Sequence, residues 1–251
     1  MKMHSYKITL SYDGTDFYGW QWQPTKISIN SVMRKTFARI FKLKDEDFWL
    51  VGASRTDAGV HAHGQVVRLR TPIYVLPNKL QQIWNDSLPS SVHITHVQEI
   101  DDRFHPQHNI AYKIYTYRLF TQRPPIMVQR FGWYVHKMID FEKLGLALQL
   151  FVGTHDFVAF CKEPQLDRPT VLTIDSITLE KCGLTGAYII QVQGKSFLRH
   201  MIRRIVGASV WSSMYDLSVD VITTALATKK LDQTLPTAPA KGLCLEKIEY
   251  I

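Results

Sequence analysis

Over residues 6–97 the hydrophobic period switches between two and 3.6, and the order of those switches restricts the fold more than any single residue does. Tyr6 to Tyr12 alternates polar and apolar side chains, as a half-buried strand requires. Met33, Phe37, Ile40 and Phe41 then recur at helical spacing, which predicts a helix starting near Ser31. Phe48 to Val51 and Gln65 to Leu69 are β-branched and apolar runs, hence strands. Pro77 to Leu88 is a short helix and Val92 to Val97 another strand. The resulting order, β-α-β-β-α-β, is that of a split βαβ unit with both helices on one face of the sheet.

Residues 101–108 carry no period and mark a boundary. The expectation is one α+β domain over residues 1–105 and a second over 106–251, a division that 251 residues can support. In the second domain Ala111 to Leu119 is a strand, with Lys113, Tyr115 and Tyr117 on one face. A helix follows Asp140, which suits an N-cap. A loop spans Pro164 to Pro169, with strands at Val171 to Leu179 and Tyr188 to Val192. Leu198, Met201, Ile202 and Ile205 form an apolar stripe, predicting an amphipathic helix that carries Arg199 and Arg203 one turn apart. A Pro/Gly loop then leads to a last strand, Leu245 to Tyr250.

Between the second and third strands lies Gly52-Ala53-Ser54-Arg55-Thr56-Asp57-Ala58-Gly59-Val60-His61-Ala62-His63-Gly64-Gln65. Chemistry alone leaves two readings of Asp57. It is a nucleophilic or basic carboxylate kept ionised by nearby Arg55, or it is a turn residue bonded to its own backbone. His61-x-His63 resembles half of a metal site, since alternate strand residues can ligate one ion, although no third ligand is obvious. Thr15 to Gln23 is rich in aromatic and amide side chains, suited either to stacking on bases or to capping a core.

Lys and Arg outnumber Asp and Glu by 30 to 22, giving a net charge of +8 and a pI near 9.3. That balance suits a polyanionic partner. Cys161, Cys182 and Cys244 form no CxxC pair, which argues against a disulfide framework and a cysteine-rich zinc site. No apolar signal region follows Met1, and no apolar run approaches the roughly 20 residues a membrane helix needs. The expectation is a cytoplasmic protein without a membrane partner.

Arg55-Thr56-Asp57-Ala58-Gly59-Val60-His61-Ala62 closely resembles the active-site signature of the tRNA pseudouridine synthase A (TruA) family. Tyr12-Asp13-Gly14, Tyr18-Gly19-Trp20-Gln21, Tyr115-x-Tyr117 and Phe197-Leu198-Arg199-His200-Met201-Ile202-Arg203 are similar to further family segments, so the resemblance spans essentially the whole chain. It implies two similar α/β-sandwich halves of split βαβ, RRM-like type, joined in one extended mixed sheet with a central cleft. It also implies isomerisation of uridine to pseudouridine in the anticodon stem-loop of tRNA, at tRNA positions 38, 39 and 40. Asp57 is then the nucleophile, Tyr115 packs against the target uridine, Arg199 pairs with Asp57, and Arg55 helps hold that carboxylate ionised. No cofactor or metal is implied, and the partners are the tRNA anticodon arm and a second copy of the chain. The rival reading is a non-catalytic RNA-binding module. Three positions depart from the family pattern: Ser54 stands where Gly is usual, Met33 where Gln is, and Pro106-Gln107 where Ala-Arg is.

Overall fold

The computed structural model describes residues 2–163, 169–214, 219–230 and 234–251, so the loop expected from Pro164 falls outside them up to Pro169. Contacts divide the chain into two compact units, Met1–Ala111 with Cys244–Ile251, and Tyr112–Leu243.

In the first unit β1 (His4–Tyr12) leads through α1 (Ile29–Phe41) to β2 (Trp49–Gly52), β3 (His61–Thr71), α2 (Pro77–Asn85) and β4 (Val92–Ile100). The strands lie in the order β4-β1-β3, with β2 also on β3, and all these pairs are antiparallel. This is the arrangement that the β-α-β-β-α-β order predicts. Helix α1 begins two residues before the expected Ser31. Ser28 is its N-cap, with Ser31 N–H donating to Ser28 Oγ at 3.2 Å and Ser28 N–H donating back to Ser31 Oγ at 3.0 Å. Ser31 therefore closes a capping box from inside the helix. Pro77 opens α2, where the missing N–H costs nothing.

The two helices meet through aromatic rings. Phe37 lies 4.7–4.9 Å, centroid to centroid, from Phe41, Phe48 and Trp84. Trp84 is wholly buried, and its indole N–H donates to Thr36 Oγ1 at 2.9 Å. Full burial of each large apolar side chain contributes about 1.5–3 kcal/mol. Met33, in place of the family's Gln, is fully buried and serves this core.

The second unit runs β5 (Ile110–Phe120), β6 (Trp133–Tyr134), α3 (Phe141–Gln149), β7 (Gly153–Asp156), β8 (Val171–Lys181), β9 (Tyr188–Gly194), α4 (Met201–Met214) and α5 (Asp220–Thr228). Its strands are ordered β5-β9-β8-β7 with antiparallel neighbours, and β6 adds to β5 in parallel. Asp140 caps α3 by accepting from Lys143 N–H at 3.0 Å. Helix α4 differs from expectation. It starts at Met201, because His200 sits at φ 64°, a left-handed conformation that an α-helix cannot continue. Arg199 consequently precedes the helix, and of the apolar stripe only Leu198 lies outside it.

The final strand, β10 (Leu243–Tyr250), belongs from Cys244 onward to the first unit. It pairs in parallel with the start of β3, Cys244 with His61 and Leu245 with Ala62. Strand β2 pairs with β3 only over Val67 to Arg70. The chain between Gly52 and His61 leaves the sheet as a loop, and β10 occupies the β3 edge beside its return. Among the described residues no helix is long and apolar enough to cross a membrane.

Candidate active site

The loop between β2 and β3 is braced along nearly its whole length. Gly52 ends β2 with a built Cβ position 2.4 Å from the Trp20 ring, so the indole lies against bare backbone and no larger residue fits. Gln107 donates to the Gly52 carbonyl at 2.8 Å. The residue that replaces the family's Arg thus supports the end of β2. Ala53 N–H donates to Val66 C=O at 2.8 Å. Ser54 is buried, and its backbone is bonded in both directions by the fully buried Gln65 side chain, at 3.1 Å and 2.7 Å. Ser54 is not among the positive-φ residues, so replacing the family's Gly introduces no left-handed strain.

Thr56 and Asp57 rest on a second glycine-rich segment. Thr56 Oγ1 and the Tyr12 hydroxyl are 2.7 Å apart, and Thr56 C=O accepts from Trp20 N–H at 3.0 Å. Gly19, at φ 82°, passes so close that an added Cβ would stand 2.6 Å from Thr56 O and 3.0 Å from Asp57 C. Asp57 C=O accepts from Val60 N–H at 3.1 Å, closing a four-residue turn whose third member, Gly59, has φ 77°. A type II turn needs glycine there. Gly59 N–H in turn donates to Phe17 C=O at 3.2 Å. Asp57 is half-buried on this frame while Arg55 is exposed, and among the described residues no ion pair joins the two. The turn at Asp57 is closed by its carbonyl, and the residue as a whole is half-buried.

The aromatic segment after β1 divides its labour. Phe17 and Trp20 are buried beneath the Asp57 loop, whereas Tyr18 and Trp22 are about half exposed, with Lys26 4.5 Å above the Tyr18 ring. His61 is buried at the start of β3, with Nδ1 3.1 Å from Gly14 N and 3.2 Å from Asp13 Oδ1. It helps seat the turn after β1. His105 and His108 stack at 4.1 Å beyond β4, and burial, then the charges of His108 and Arg68, push the His105 pKa down.

In the second unit Tyr115 is 7% exposed on β5, with Phe197 edge-on to its ring at 5.4 Å. Tyr117, two residues on, is completely buried, and its hydroxyl donates to Pro239 C=O at 2.8 Å. Burial drives that hydroxyl's pKa far upward. The same segment is held by Arg203, whose Nε donates to Ala238 C=O at 2.9 Å, and by Gly207, where a Cβ would meet Pro236 O at 2.3 Å. Buried Arg204 donates to the Cys161 and Leu235 carbonyls at 2.6 Å and 3.3 Å. Arg199 is exposed and pairs with Glu163 at 3.4 Å. Of the four site residues expected from sequence, Arg55 and Asp57 share one loop of the first unit, and Tyr115 and Arg199 belong to the second. Core-capping, one of the two readings of Thr15 to Gln23, describes buried Phe17 and Trp20, but the support that Gly19, Trp20 and Gln65 give the loop was not legible. Their only signals were a Tyr-Gly-Trp run and a lone amide opening an apolar strand.

The sequence matches a family model described as tRNA pseudouridine synthase over residues 8–109 and 147–251. A tRNA pseudouridine synthase A from Thermodesulfovibrio yellowstonii is 33% identical, with 99% of this chain and 100% of the relative covered. A tRNA pseudouridine synthase A 2 from Bacillus cereus is also 33% identical, over 99% and 100%. A solved archaeal box H/ACA sRNP Nop10-Cbf5 complex aligns with a TM-score of 0.32 at 10% identity, over 82% of this chain and 43% of that one, a likeness too weak to bear on the fold. The full-length matches place the chain among the RNA-modifying isomerases. It belongs to the tRNA pseudouridine synthase family, and within it to the tRNA pseudouridine synthase A group.

Proposed function

We propose that this chain isomerises uridine to pseudouridine in the anticodon stem-loop of tRNA, at tRNA positions 38, 39 and 40, with Asp57 as the reacting carboxylate. The observation that carries the reading is the setting of Asp57. Its peptide is fixed by the Val60 N–H and backed by Gly19, while its side chain is only half-buried within a loop matching the family signature. A rigid backbone that presents a partly exposed carboxylate is what a nucleophile or base needs. The reaction breaks the N1–C1′ bond, turns the base, and joins C5 to C1′. The proton lost from C5 balances the one gained at N1, so no oxidant or phosphoryl donor enters. Tyr115 offers a ring for the target base to pack on, Arg55 offers a cation beside Asp57 in the same loop, and Arg199 offers one for phosphates. A base within a stem must first be extruded, at a cost of a few kcal/mol.

Asp57→Asn tests the reading. It preserves side-chain size and the backbone turn while removing the negative charge. Pseudouridine formation should fall by about 10³-fold or more, with tRNA affinity unchanged or slightly raised. Near-normal turnover in this variant would reduce Asp57 to a turn residue.

The net charge of +8 supports a tRNA partner, and we infer a cytoplasmic homodimer that holds the RNA. Affinity for tRNA should fall steeply between low and high salt as phosphate counterions are released. Light scattering should report twice the 29.0 kDa chain mass. A monomer at working concentrations rules out the dimer and leaves the chemistry untouched.

A further inference from the structure

Beside the return of the Asp57 loop, the first unit gathers three side chains of metal-ligating type to which the proposed reaction assigns no role. His63 stands on β3, and Cys244 and Glu246 stand on β10. One ligand atom from each lies within 4.8 Å of the other two. The strand pairing explains the meeting. Because Cys244 pairs with His61 and Leu245 with Ala62 in parallel, continuing the register brings Glu246 beside His63. Residues 244 and 246 then lie on one face of β10, next to His63. The spacing is held by backbone: a Cβ at Gly64 would meet Glu246 O at 2.3 Å, so the strands approach there more closely than any larger residue permits. His63 Nδ1 and Glu246 Oε2 are already 2.8 Å apart. Cys244 is 6% exposed, while the His63 and Glu246 side chains are 62% and 24% exposed, so the cluster is closed below and open on one side.

We propose that His63, Cys244 and Glu246 form a binding site for one divalent transition ion of the zinc class, with a fourth, solvent-facing position. A thiolate, an imidazole and a carboxylate are the donors such an ion takes, and three protein ligands with one open position is a familiar zinc arrangement. Closing the tetrahedron needs the His63–Glu246 contact to open slightly and the thiol to lose its proton, so binding weakens as pH falls. The ion would clip β10 to β3 where their pairing is short, joining residues 63 and 244 across most of the chain.

The experiment uses the full-length protein, EDTA-treated and then freed of chelator. Cobalt(II) should bind one per chain with a thiolate-to-cobalt charge-transfer band in the near ultraviolet, and zinc should abolish the band by displacement. Cys244→Ser should lose the band. His63→Ala and Glu246→Gln should weaken binding by no less than the roughly 10–100-fold that second-shell changes cost. Zinc should raise the melting temperature of the wild type and leave that of His63→Ala unmoved. Cys182→Ser should retain the band, which separates this site from a surface thiol. No band and no zinc-dependent melt shift in the wild type would overturn the site, leaving only a His63–Glu246 ion pair. A band undiminished in His63→Ala would also overturn it, by showing that the thiol binds alone. If Cys244→Ser does not fold, the exposed His63 supplies the decisive variant. None of these readouts depends on pseudouridine formation, so they stand or fall separately from the proposed function.

Discussion

Gln65 holds Ser54 from both sides: its Oε1 accepts from the Ser54 N–H at 3.1 Å, and its Nε2 donates to the Ser54 carbonyl at 2.7 Å. The amide replaces the strand partner that Ser54 would otherwise lack as the chain leaves β2. Both ends of the exchange are buried, so neither backbone group can turn to water instead. The start of the Asp57 loop is thereby tied to the strand that follows it.

Gln65→Ala removes both bonds at once. Each buried group left without a partner costs about 1–3 kcal/mol. The expected loss is therefore roughly 2–4 kcal/mol by urea denaturation, after some relaxation. Turnover should fall further than tRNA affinity, because the loop loses register while the charged surface is unchanged. A Gln65→Ala protein as stable as wild type would show that the loop is held elsewhere.

The β-α-β-β-α-β order was legible because β1 and β4 alternate buried and more exposed residues, so the period reports them directly, while β3, buried along most of its length, shows as an apolar run. Asp57, Arg55, Tyr115 and Arg199 became candidates for one site through resemblance alone, since no period or spacing singles them out. What escaped is what period cannot encode. Helix α4 was drawn from Leu198 because the apolar stripe begins there, yet His200 at φ 64° breaks it, and nothing in the residue type announces that angle. Strand β10 was expected, but not its parallel seat on β3, since pairing between residues 183 apart leaves no local trace. The His61-x-His63 pair drew attention as half a metal site. His61 is instead buried against the turn after β1, and the groups that meet His63 are Cys244 and Glu246. Helix α5 was missed because its Thr-rich, β-branched run has weak helix propensity.

His105 gives the fold a pH dependence whose sign follows from its lowered pKa. The folded state favours the neutral imidazole, so as pH falls the unfolded chain takes up the proton first. The stabilisation is complete above the unfolded pKa, about 6.5, and is lost as pH drops through and below it. His105→Gln has no proton to take up. Its melting temperature should therefore decline less than that of wild type between about pH 7.5 and pH 5. Equal declines would mean that the burial of His105 does not couple to folding.

Tyr115 and Tyr117 lie two residues apart on β5, and substitution by phenylalanine should separate their functions. Tyr117 is completely buried, and its hydroxyl is spent on the Pro239 carbonyl within the segment that leads to β10. Tyr117→Phe keeps the ring, which fills the space against Gly242, and removes only that bond. It should cost about 1–2 kcal/mol of stability, with turnover per folded molecule unchanged. Tyr115 is held by the edge-on contact of Phe197, which a phenylalanine ring can also make. Tyr115→Phe should therefore leave tRNA binding near wild type and lower turnover, but by less than Asp57→Asn, since the ring can still stack on the base. Pseudouridine formation, tRNA binding and thermal melts on the same preparations decide the matter. If Tyr117→Phe loses turnover at normal stability while Tyr115→Phe keeps it, the residue that meets the base is the second tyrosine, and the assignment of Tyr115 fails.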